Sequence, residues 1–97
     1  MTDAASASPL FQDVLIVNKK GLHARASAKF VQCAERFDAT VTVAKDLSSV
    51  GGTSIMGLMM LSAAHGATIR ITAEGAEAPA ALAALVELVS GKFGEEE

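Results

Sequence analysis

Hydrophobic positions change their period along this chain, and each change marks an element. Gln12-Asp13-Val14-Leu15-Ile16-Val17-Asn18 is rich in β-branched residues and predicts a strand. Gly21 punctuates a loop over residues 19–22. From about residue 24 to 36 the period becomes helical, with Ala26, Phe30, Cys33/Ala34 and Phe37 in one stripe. Thr40-Val41-Thr42-Val43-Ala44 alternates and predicts a second strand, with Val41 and Val43 facing inward. Lys45-Asp46-Leu47 turns the chain, and residues 48–51 read as a short third strand. Gly51-Gly52-Thr53-Ser54 then precedes an apolar run over 55–61, and Ser54 suits the N-cap of a short second helix. His65-Gly66 ends that segment. Residues 67–73 give the cleanest alternation, with Ile69 and Ile71 toward the core and Thr68, Arg70 and Thr72 toward water. A third helix begins near Ala78-Pro79, proline suiting its first turn. Leu82, Leu85, Val86 and Val89 form its expected buried stripe, and Gly91 stops it.

The predicted order is β-α-β-β-α-β-α. Strands that bury one face imply an antiparallel sheet with its helices on a single side, an α+β domain. The 97 residues suffice for one domain and are too few for two. Residues 1–10 read as a flexible lead-in, 11–91 as the domain, and 92–97 as an acidic tail whose default is solvation. The core must be aliphatic, because hydrophobic content is 51% while aromatic content is only 4%. A net charge of -3, with no basic run longer than Lys19-Lys20, argues against a nucleic-acid partner. No window reaches the ~18 apolar residues of a membrane span, and the start of the chain lacks a signal-peptide pattern. The single cysteine, Cys33, excludes an internal disulfide and lies on a buried stripe. These features lead us to expect a cytoplasmic protein.

The chemistry gathers at His23. It follows the first strand at the start of the first helix, two residues before Arg25. Helix N-termini present unpaired N–H groups to anions, phosphate above all. Neutral imidazole offers a lone pair on one nitrogen and a proton on the other. The N–P bond it forms is weak enough to pass the group on. Arg25 can meet the phosphoryl charge with charge-assisted hydrogen bonds, and N–H groups near residues 24–26 can complete a cradle. A lone histidine at a helix start is otherwise an ordinary capping or surface residue.

Gly21-Leu22-His23-Ala24-Arg25-Ala26-Ser27 resembles the active-site signature of the HPr family, the histidine phosphocarriers of the phosphoenolpyruvate-dependent phosphotransferase system. Ser54-Ile55-Met56-Gly57-Leu58-Met59-Met60-Leu61 resembles that family's regulatory serine and the helix after it, at the family's spacing. Ala26 departs from the proline of many members; alanine is still a strong helix former. The resemblance implies an open-faced β-sandwich, a four-stranded antiparallel sheet with three helices on one face. It implies that His23 takes a phosphoryl group on Nδ1 from the phosphohistidine of enzyme I. The group would then pass to a histidine of an enzyme IIA protein or domain, with Arg25 stabilising it. Ser54 matches the serine that HPr kinase/phosphorylase modifies in regulated members; an N-cap role alone also explains it.

By the same resemblance Ile55, Met56 and Met59 are exposed and contact partners, while Leu58 and Leu61 pack inward. Methionine suits a surface with several partners. Lys19, Lys20, Arg25 and Lys29 would rim that patch and steer acidic partners, or would simply be solvated. His65 reads as a surface turn residue. Neither cofactor nor metal is expected: the histidines and the cysteine lack ligand spacing, and Gly51-Gly52-Thr53-Ser54 lacks the ending of an NTP loop. The expectation is a monomeric stoichiometric carrier, not an independent catalyst, serving sugar uptake, nitrogen-related regulation or both. One rival is a regulatory module of the same fold that binds targets according to phosphorylation state. The other is a small ligand-binding module without phosphochemistry, which an exposed histidine and few pocket-lining aromatics disfavour.

Overall fold

The computed structural model describes residues 9–97. Its elements are β1 (Leu10–Leu15), α1 (Ala24–Ala34), β2 (Thr40–Lys45), β3 (Ser48–Gly51), α2 (Ile55–Met60), β4 (Thr68–Glu74) and α3 (Ala78–Ser90), followed by a 3-10 turn over Lys92–Gly94. The strands form one antiparallel sheet in the order β1-β4-β2-β3. The expected order and the α+β open-sheet architecture with three helices are therefore what the chain adopts.

Alternation sets the register. Val14 lies opposite Ile69, Val43 opposite Ile71 and Val41 opposite Ala73. All six are buried, and they join Ala26, Phe30, Leu58, Leu85 and Val89 from the helices in one core. The opposite face of the sheet is open. There Arg70 reaches across to Asp13 (2.8 and 3.3 Å) and stacks 4.2 Å above the Phe11 ring. The Arg70 hydrogen bond holds the Asp13 carboxyl below its usual range.

Several details differ from the sequence reading. β1 begins at Leu10 and ends at Leu15, although Ile16 still exchanges hydrogen bonds with Ala67 and Gly66 beyond the regular ladder. α1 stops at Ala34, and Phe37 is half-buried in the turn after it. In α3 the fully buried positions are Ala78, Ala81, Leu85 and Val89, whereas Leu82 and Val86 flank the core. Apolar residues run almost around that helix, so periodicity could not choose its inner face; close approach to the sheet selects the smaller Ala81. Thr72, expected in water, is half-buried.

Residues 1–8 of the expected lead-in lie outside the described residues; Leu10 already belongs to β1. Beyond α3 the chain turns back. Phe93 adopts φ 56° and is 1% exposed, so a residue past position 91 fills part of the core.

Candidate functional site

β1 delivers the site loop to α1, and Gly21 makes the bend possible. Its φ is +67°, and a Cβ there would stand 2.4 Å from the Ala63 carbonyl oxygen. Only glycine combines that backbone with so close an approach. The approach lets the Leu22 N–H donate to the same Ala63 carbonyl at 2.9 Å, so the loop is pinned to the segment after α2. Leu22 is buried, which leaves His23 half-exposed as the N-cap residue of α1. Its carbonyl accepts from Ser27 N–H at 2.8 Å, and no side chain caps the helix. The first N–H groups of α1 therefore have no partner from a capping side chain.

The His23 ring is held from one side. Nε2 lies 2.5 Å from Glu95 Oε2, across 72 residues of sequence. The other carboxylate oxygen, Oε1, accepts from Asn18 Nδ2 at 3.0 Å. Asn18 is fully buried, and the same amide nitrogen donates to the Gly21 carbonyl at 3.0 Å. Partial burial works against the Glu95 carboxylate, but hydrogen bonds from Asn18 and His23 and the charges of His23 and Lys20 outweigh it. Its carboxyl is thus held below the ordinary glutamate range. An ionised carboxylate only accepts, so in the neutral form of the ring Nε2 carries the hydrogen and Nδ1 the lone pair.

Lys19, Lys20, Ala24, Arg25 and residues 95–97 enclose an open depression of about 570 Å³ around this ring. Arg25 is exposed and has no ion-pair partner among the described residues. Lys19 Nζ meets Glu97 at 3.5 Å with both side chains largely exposed, a pair of little energetic weight. Lys29 sits elsewhere: its Nζ donates to the Phe93 carbonyl at 2.7 Å, which ties α1 to the 3-10 turn.

α2 packs its following segment, 62–64, beside the His23 loop. Ser54 caps the opposite end of that helix, where its Oγ accepts from Gly57 N–H at 2.9 Å. Leu58 and Leu61 are buried. Ile55, Met56 and Met59 are exposed, and so is Met60, at 74% the most exposed of the four. Met60 was not assigned from sequence, although it follows Met56 by four positions and so shares its helix face. His65 is exposed, and Cys33 is buried with a free thiol. Among the described residues no group of three or more His, Cys, Asp and Glu side chains could hold a metal, and no helix is long and apolar enough to cross a membrane.

Asn18 and Glu95 are the site residues that sequence reasoning missed. Asn18 reads as a strand end and Glu95 as part of a solvated acidic run. Only tertiary folding brings them to His23.

Fold and site define a small α+β domain with a half-exposed imidazole at a helix N-terminus, held by a carboxylate and bordered by cations. Residues 11–91 match the family model described as the PTS HPr component phosphorylation site. The phosphocarrier protein HPr of Neisseria meningitidis is 52% identical over 88 residues, which cover 91% of this chain and 99% of that protein. The phosphocarrier protein NPr of Shewanella violacea is 42% identical over 86 residues, covering 89% of this chain and 94% of the relative. The fold is similar to the crystal structure of HPr-C-His from Thermoanaerobacter tengcongensis, with a TM-score of 0.87 and 43% identity over 91% of this chain and 99% of that one. The chain belongs to the HPr family, the phosphocarriers of the phosphotransferase system.

Proposed function

We propose that His23 is the phosphoryl-carrying residue and that its Nδ1 accepts the group from the phosphohistidine of enzyme I. The observation that carries this reading is the engagement of Nε2 by Glu95, which leaves Nδ1 with the free lone pair at the start of α1. Attack by that lone pair forms a new N–P bond as the donor's N–P bond breaks. The reverse sequence delivers the group to a histidine of an enzyme IIA protein or domain. Arg25, unpaired among the described residues, supplies charge-assisted hydrogen bonds to the phosphoryl oxygens, and the first N–H groups of α1 assist.

Donor and acceptor use one face, because both must reach the same nitrogen. That face combines Ile55, Met56, Met59 and Met60 with the cations Lys19, Lys20 and Arg25. Lys29, half-buried on the Phe93 carbonyl, contributes less than sequence suggested. Complexes there are transient, as a relay in the cytoplasm requires. Ser54, where HPr kinase/phosphorylase would act, lies at the far end of a six-residue helix from the His23 loop. A phosphate on it would work by placing charge on the docking face, not by touching the imidazole.

The test is incubation with phosphoenolpyruvate and enzyme I, read by intact mass, with His23→Ala alongside. One acid-labile phosphoryl group on the wild type and none on the variant is the expected result. Equal uptake by the variant would move the site elsewhere. No uptake by the wild type would favour a regulatory module that only binds its targets.

A further inference from the structure

The Asn18–Glu95–His23 chain has no assigned part in that relay, yet it is built with care. Glu95 is fixed from several directions. Phe93, two residues earlier, is buried, and Lys29 Nζ donates to its carbonyl at 2.7 Å. The Lys19 backbone N–H donates to the Glu97 carbonyl at 2.5 Å. Asn18, itself fully buried and bonded to the Gly21 carbonyl, grips Oε1 at 3.0 Å. The free oxygen, Oε2, is thereby aimed at Nε2 of His23.

We infer that Glu95 is a positioning residue that keeps the hydrogen of His23 on Nε2 through both halves of the phosphoryl transfer. The inference rests on His23 being the carrier. In acceptance, the Nδ1 lone pair forms the new N–P bond, the donor imidazole's N–P bond breaks, and that electron pair returns to the donor nitrogen. The Nε2 hydrogen does not move. In donation, the Nδ1–P bond breaks and its electron pair returns to Nδ1. Because Nε2 has kept its hydrogen, the ring leaves as neutral imidazole; without that hydrogen it would have to leave as an anion. The Glu95 charge lies at the Nε2 edge of the ring, away from Nδ1, so it meets the ring's positive charge and not the phosphoryl oxygens. A carboxylate that orients an imidazole and fixes its tautomer performs the same service beside nucleophilic serines. Lys19, Lys20 and Arg25 offset the negative charge of Glu96 and Glu97 around the same depression.

The test has two arms on one set of proteins: wild type, Glu95→Ala and Glu95→Gln. With 15N-histidine labelling, the two ring nitrogen shifts at alkaline pH report which nitrogen holds the hydrogen. Single-turnover uptake from phosphorylated enzyme I reports the chemistry. The wild type is expected in the Nε2–H form. Glu95→Ala should spread the hydrogen over both nitrogens and accept about tenfold more slowly, with unchanged affinity for enzyme I. Glu95→Gln keeps one accepting oxygen but sets an NH2 where Oε1 accepts from Asn18, so it should restore the tautomer and the rate only in part, falling between the wild type and Glu95→Ala. Wild-type ring shifts in Glu95→Ala, or a wild-type rate, would overturn the role. The labelling arm needs no phosphoryl donor. A wild type that took up nothing would therefore sink the carrier reading separately, by its own result.

Discussion

Phe93→Ala tests how the site is held together. Phe93 is 1% exposed and packs in the core, and its carbonyl anchors Lys29. Truncating a buried phenylalanine costs about 3–5 kcal/mol from lost transfer energy and the cavity left behind. Only a short turn separates it from α3, so the segment can relax, and the low end of that range, about 3 kcal/mol, is expected. Positive φ at this position persists in alanine, so no strain is released to offset the loss. For a domain of this size the change corresponds to a fall in melting temperature of about 12–24 °C, at 4–8 °C per kcal/mol. Urea unfolding followed by far-UV circular dichroism gives the number. Amide and His23 ring resonances recorded in parallel should show residues 92–97 released and the ring no longer held by Glu95. A loss below about 1 kcal/mol, or an unchanged ring environment, would refute the argument that core burial of Phe93 positions Glu95.

Ser54→Ala removes the side-chain acceptor for Gly57 N–H and should cost about 1 kcal/mol in urea, with no change at the His23 ring. Met56→Glu puts charge on an exposed helix face and should weaken binding to enzyme I in titration calorimetry while leaving stability within about 0.5 kcal/mol; unaltered affinity would dissolve the docking face. The folded Glu95 carboxyl lies below its ordinary value, so its ionised form supports the docked segment above the usual glutamate range, about 4.3, and that support is lost as pH falls through the lowered value. Resonances of residues 92–97 should stay dispersed at pH 5 and collapse only in stronger acid; release beginning near pH 6 would contradict the sign of that linkage.

The strands and helices were legible because each keeps one period long enough to be read. Ile69 and Ile71 face inward as their alternation demands, and Ser54 caps α2 as its place before an apolar run suggests. α3 was legible as a helix but not in its orientation, since a stripe is meaningless where nearly every position is apolar. The position of His23 and Arg25 at the start of α1 was legible because a helix N-terminus is a local feature. Glu95 was not: three adjacent glutamates read as solvated, and what overrules that is Phe93 tucking back at positive φ, a choice made by the core and not by neighbouring residues. Gly21 was read as loop punctuation, while its cause, the Ala63 carbonyl, is 42 positions away (63 − 21).

The strand order carries a consequence in time. β1 has a single partner, β4, and their closest paired residues, Leu15 and Thr68, are 53 positions apart (68 − 15). A ribosome adding about 5–20 residues per second needs roughly 3–10 s to cover that gap. Meanwhile β2 and β3 can already pair as a hairpin, but β1 and the histidine loop behind it have nothing to lean on. Ala63 and Ala67, which receive Leu22 and Ile16, are also still to be made. His23 is among the early residues to emerge and among the last to be set in place, so the site exists only once the second half of the chain has folded back on the first.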